Sequence, residues 1–252
     1  MKIIKSLCIA FSMYSKVPMP QFEWKEEDMK YSLCFLSWVG VLIAVLFVLL
    51  NKIAKMAGLG QVSIALLLTA LPLIVTGGIH VDGYMDTMDA LHSYQEKEKK
   101  LEILKDPHIG AFSVIMLLLY VLVYLAFLLE ADSRQEILMI ALGFILSRVA
   151  GAMSVVAFHP AKENGLLRIF ADAASKKTVM GILVIEGCVC VALMMAVSKG
   201  RGIFVIASVI LWFLYYKKIC DQQFGGVSGD TSGYFITICE LIVVVVTVLG
   251  NL

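Results

Sequence analysis

The chain has 252 residues, of which 60% are hydrophobic and 16% charged, with a mean hydropathy of +0.88. That is too apolar for a soluble domain of this length, and so many wholly apolar helices would leave too few amphipathic ones to face water. A net charge of +1 gives no electrostatic footprint for nucleic acid.

The first 15 residues are too few to span a bilayer and read as an amphipathic or re-entrant segment in the interface, followed by a polar connection, residues 15–30, broken at Pro18 and Pro20. A hydrocarbon core of about 30 Å needs roughly 20 apolar residues per crossing helix. Charge-free windows of that kind run over 31–50, 58–79 and 109–129. Windows 137–157 and 178–198 each carry one ionisable residue, Arg148 and Glu186. Residues 202–216 form a short sixth span and 234–252 a seventh, with Glu240 inside it. The expected fold is all-α: a polytopic helix bundle of about seven transmembrane helices, forming one membrane-embedded catalytic domain over 1–252. Lys and Arg fall unevenly, 15 in the connections on the N-terminal side and 5 on the other. By the positive-inside rule the N-terminus is cytoplasmic and the C-terminus outside. The six cysteines lack paired spacing and read as small buried residues.

The run Gly77 to Leu91, GGIHVDGYMDTMDAL, is the most informative segment. If the second span continues as a helix, Asp82, Asp86 and Asp89 share one face at i, i+4 and i+7. Three like charges repel, so a divalent cation is the natural compensation, and hard oxygen donors favour Mg²⁺ held together with substrate phosphates. An N-capping cluster or solvated acidic rim is the bland alternative, but carboxylates that continue an apolar span usually mark a site. His80 is a candidate for orienting a phosphate or moving a proton. In the last connection, GGVSGDTSG at 225–233 offers backbone N–H groups to an anion around Gly229 and Thr231, with Asp230 as a further metal ligand. Arg148, inside the fourth span, reads as a phosphate contact. Glu240 is as readily a buried partner as a functional group. Lys105, Asp106 and His108, before the third span, and Lys16, beside Pro18, lie on the same side as the acids.

These residues resemble the cobalamin synthase family, the adenosylcobinamide-GDP ribazoletransferases. The resemblance rests on GGIHVDGYMDTMDAL, on GGVSGDTSG followed by Glu240, on Val17-Pro18-Met19-Pro20, and on Lys105-Asp106-x-x-x-Gly110 and Ser147-Arg148 in the family's order. Ser15-Lys16 stands where a Thr-Arg pair is common, and Ala90 where Gly is frequent. Lys16 keeps the charge but not the planar fork of arginine.

The resemblance implies that a hydroxyl of α-ribazole, or of its 5′-phosphate, displaces GMP from adenosylcobinamide-GDP, with Mg²⁺ as cofactor. It implies Asp82 and Asp86 on the metal, assisted by Asp230, with Asp89 or His80 as the base. Lys16, Lys105, Asp106, Arg148, Gly229 and Thr231 would then contact substrate. The expected partners are the two small-molecule substrates and the lipid bilayer, and a homo-oligomer is compatible with the sequence. Two rivals differ in kind. CDP-alcohol phosphotransferases also use spaced aspartates, but their motif places Ala-Arg where Asp86-Thr87 stands here. A cation-coupled transporter predicts midplane acids and internal repeats.

Overall fold

The computed structural model describes residues 2–161, 170 and 174–250. Lys162 and Arg168, used in the charge count, and Leu252, the expected end of the last span, lie outside them. Helices α1 (Lys2–Tyr14), α2 (Glu26–Met29), α3 (Leu36–Met56), α4 (Gln61–Thr76) and α5 (Ile79–His92) are followed by α6 (Lys97–Ile103), α7 (Ala111–Glu130) and α8 (Arg134–Ala157). After the next connection come α9 (Lys176–Val197), α10 (Lys199–Ile219) and α11 (Gly229–Leu249). Among the described residues the only extended pairing is an isolated bridge, so the all-α expectation holds.

Among the described residues, six helices are long and apolar enough to cross a membrane, and the α4–α5 pair makes a seventh pass only if counted across its bend. The second span does not continue as a straight helix. It ends at Thr76, and the chain turns by 94° into α5. Gly77 and Gly78 make that turn with φ of +65° and +80°, a region L-residues rarely adopt. With 16 residues, α4 spans only about 24 Å. It returns the chain to the rim, where α5, with three aspartates and two histidines, lies outside the apolar segments. The sixth span, weakest in the sequence, is a 21-residue helix because Lys199 and Arg201 at one end and Lys217 and Lys218 at the other belong to it. The seventh begins at Gly229 rather than Tyr234, so residues 229–233 are its first turn and not a loop.

Helix α8 is the central element, 78% of its most apolar window being buried, whereas α7 and α9 have 22% and present their apolar faces outward. That is the pattern of a bundle in lipid, where outer helices need no polar face. The passes sort into two ends. At one, Lys55 pairs with Asp132, Gln61 donates to the Leu129 carbonyl, and Arg201 meets Glu136. At the other lie α1, α5, α6 and the start of α11. Helix α1 packs on α2 through Ile9 and Met29, with Lys5 on the buried carboxylate of Asp28 at 3.0 Å. The loop before α11 is pinned by Val227, whose N–H donates to the His159 carbonyl at 2.8 Å and whose carbonyl accepts from Ala161 N–H at 2.9 Å.

Candidate active site

Two glycines decide where the acids sit. A Cβ on Gly83 of α5 would stand 2.7 Å from the carbonyl oxygen of Asp230, and one on Gly233 of α11 would stand 2.7 Å from that of His80. Glycine at both positions lets the two helix backbones touch. Tyr84 fixes the crossing from the side: it packs between Tyr120 and Tyr234, and its hydroxyl donates to the Met116 carbonyl at 2.9 Å.

The crossing brings Asp230 to the acidic face of α5. Asp82 is exposed, and Asp86, Asp89 and Asp230 are half-buried. Partial burial, then the charges of Asp82, Asp230 and Asp89 in that order, push the Asp86 carboxyl up to about 6. Asp86 is thus the electrostatic centre of the group. Asp89 faces elsewhere, since a Cβ on Gly110 would overlap its carboxylate. That contact seats the loop before α7 against α5. Among the described residues, no three His, Cys, Asp or Glu side chains converge tightly enough to hold a metal by themselves.

Two cavities flank Asp82. An open groove of about 840 Å³ runs past Lys16, Thr76, Gly77, Gly78 and Met85. Lys16 is held there because its backbone N–H donates to the Val75 carbonyl at 2.8 Å and its side chain lies over Gly77. A smaller pocket of about 250 Å³ lies under the α5–α11 crossing, reaching His80, Gly229 and Asp230. His80 is buried, stacks on Tyr14, and leaves Nε2 without a hydrogen-bond partner. Burial, then the charge of Arg148, lowers its pKa well below the ordinary value, so the imidazole is neutral.

Other expected contacts fall away from these cavities. Arg148 is 1% exposed and ion-paired to Glu240 at 2.6 Å, with a second bond to the Phe144 carbonyl. Its Nη1 is engaged inside the bundle while Nε has no hydrogen-bond partner, and the side chain lines neither of the two cavities. Thr231 is fully buried as the third residue of a capping box: its N–H donates to Ser228 Oγ and its Oγ1 accepts from Ser228 N–H. It builds the start of α11 and presents no hydroxyl to a ligand. Lys105 and Asp106 are exposed and border neither cavity, and Asp106 accepts from the backbone N–H of His108 and pairs with its ring at 2.6 Å. Gly229 does line the smaller pocket.

Sequence reasoning missed Met13, Tyr14 and Ser232 in that pocket, and Gly110 behind Asp89. Ser232 and Gly110 stand inside motifs already singled out. Met13 and Tyr14 arrive by the docking of α1, which no local pattern shows.

The sequence model of the cobalamin-5-phosphate synthase family matches residues 6–248. The chain belongs to that family. Membership makes it a multi-pass membrane transferase of cobalamin synthesis and removes the phospholipid-enzyme and transporter readings. It is 44% identical to an adenosylcobinamide-GDP ribazoletransferase of Lachnoclostridium phytofermentans, over 96% of this chain and 92% of that one. It is 31% identical to the protein of the same name from Clostridium perfringens, over 95% and 96%. A third, from a Geobacillus species, is 30% identical over 86% and 84%. No solved structure matches.

Proposed function

We propose that this protein transfers the cobinamide phosphate of adenosylcobinamide-GDP to α-ribazole or its 5′-phosphate. The nucleoside hydroxyl oxygen forms a new bond to the phosphorus that carries the cobinamide, the pyrophosphate P–O bond breaks, and GMP leaves with those electrons. The observation that supports this reading is the backbone contact of α5 with α11, which brings Asp230 to the helix that carries Asp82 and Asp86, with Asp82 lining both cavities and Asp230 the smaller one.

The donor set is all hard oxygen, and partial burial together with the neighbouring carboxylates raises Asp86. It fits Mg²⁺, an ion that keeps waters and shares substrate phosphate oxygens and so needs no closed cage of protein ligands. Asp82, Asp86 and Asp230 are the residues that would hold it. When bound, the ion would neutralise charge on the phosphate oxygens and on the departing GMP.

Lys16 lies along the groove and offers the pyrophosphate a point charge. His80, neutral and with an unpartnered Nε2, is the group placed to take the hydroxyl proton, in the tautomer that carries its own proton on Nδ1. Asp89 borders neither cavity and is read as the anchor of the 104–110 loop. The excess of Lys and Arg on the N-terminal side supports a cytoplasmic active site. Purified protein given adenosylcobinamide-GDP and α-ribazole should release GMP and cobalamin, seen by mass spectrometry, only with Mg²⁺ present. Equal turnover by Asp82→Asn would refute the metal assignment.

A further inference from the structure

The two cavities meet at Asp82, and we infer that they divide the substrates, the open groove receiving the corrinoid nucleotide donor and the smaller pocket the acceptor nucleoside. This rests on the transferase reading above and adds to it which residues meet which substrate. Size is the first argument. Pockets for drug-sized ligands run to about 300–1,000 Å³ and enclose most of the ligand. At about 250 Å³ the pocket under the α5–α11 crossing lies just below that range. It suits a nucleoside and excludes a corrinoid. The groove, about 840 Å³ and open, sets no wall around a larger ligand.

Chemistry is the second. The smaller pocket has two unlike walls. Leu33 and Leu36, before and at the start of α3, together with Val155 of α8 and Ile236 of α11, make an apolar side suited to a planar aromatic base. His80, Asp82, Asp230 and Ser232 make a polar side suited to a ribose. An orphaned buried polar atom carries a desolvation penalty that a ligand hydroxyl relieves. His80 Nε2 is one such atom, and Ser232 Oγ makes no hydrogen bond of ordinary geometry, interacting only more weakly with Tyr216. With its base on the apolar side, the nucleoside presents its hydroxyls toward His80 and Asp82. The groove instead carries the Lys16 charge, as a pyrophosphate requires, and the shared Asp82 puts the reacting phosphorus and hydroxyl at the common edge.

The test is a split in Michaelis constants, measured on full-length protein in lipid nanodiscs with Mg²⁺. Val155→Phe fills the apolar side of the small pocket, and Leu73→Trp narrows the groove. Extra bulk in an apolar site discriminates by about 10–200-fold per methylene-sized misfit. Val155→Phe should raise the KM for α-ribazole about tenfold or more and leave that for adenosylcobinamide-GDP within about twofold. Leu73→Trp should do the reverse. A raised donor KM in Val155→Phe, or no change in either constant, overturns the division. Should Val155→Phe not assemble, Leu36→Ala enlarges the same wall and should shift preference about tenfold toward nucleosides with a bulkier base, an unchanged preference overturning the proposal. Failure of the wild type to release GMP sinks the transferase reading itself. GMP release without the split sinks only the division.

Discussion

Gly83 and Asp230 meet at backbone level, and with the reciprocal contact of Gly233 on His80 they set the spacing of every acid in the site. Alanine at either glycine must push α5 and α11 apart, because the clash is with backbone and not with the end of a flexible side chain. Overpacking of this kind costs about 1–3 kcal/mol. A shift of about 1 Å at a reacting centre costs about 100-fold in rate. Gly83→Ala and Gly233→Ala should therefore insert and purify, melt lower than wild type, and lose about 10- to 100-fold in kcat. Gly229→Ala, which meets nothing within 4 Å, is the matched control for stability.

The acids should trade stability for function. Asp86 is held near 6 by partial burial and by Asp82, Asp230 and Asp89, so in metal-free protein at neutral pH it is ionised against that resistance. Asp86→Asn removes a repulsive charge and should raise the melting temperature in EDTA, while lowering turnover with Mg²⁺ by about 100-fold or more. A lower melting temperature in EDTA would show that Asp86 is held by attraction.

The same shift sets a pH dependence. The folded value, about 6, lies above the ordinary 3.8, so the folded protein binds more protons than the unfolded between those values. Metal-free stability should fall as pH rises through that window and level off above it. Mg²⁺ binds the ionised carboxylate and releases the proton, so its affinity should weaken as pH drops below about 6. Titration calorimetry in buffers of different ionisation enthalpy would detect the released proton. Asp86→Asn should flatten the dependence.

How much of this was legible in the sequence differs by element. The spans were, because apolar windows of about 20 residues need only counting. The pairing of Asp82 with Asp86 at i and i+4 was too, since it lies within one helix, but that spacing does not show that Asp89 turns to the loop before α7. The turn at Gly77–Gly78 is marked by the glycine pair, but an apolar window running on to residue 79 does not show the 94° bend there. The glycine-rich run at 225–233 points to an anion site around Thr231, and its capping role is hidden because Ser228-x-x-Thr231 lacks the Glu or Gln of the usual capping box. The pairing of Gly83 with Asp230, about 150 positions apart in the chain, has no local signature. Nor does the arrival of Tyr14 beside His80.

Arg148 gives the sharpest test of what the fold adds to the motif. Ser147-Arg148 in a transferase of phosphorus groups invites a phosphate role, yet the guanidinium is buried on Glu240 at 2.6 Å. Removing one member of a buried pair strands the other charge and costs about 3–5 kcal/mol, whereas replacing both by apolar residues of similar volume is often neutral. Arg148→Met should therefore fail to give a monodisperse protein, and so should Glu240→Leu. Arg148→Met combined with Glu240→Leu should recover a monodisperse peak in size-exclusion chromatography and, with it, GMP release within about tenfold of wild type. A double variant that is well folded but inactive would instead return Arg148 to the substrate, by way of a rearrangement that opens the pair. The structure points the other way: the buried bridge braces α8 against α11, and through α11 it holds Asp230 at the rim.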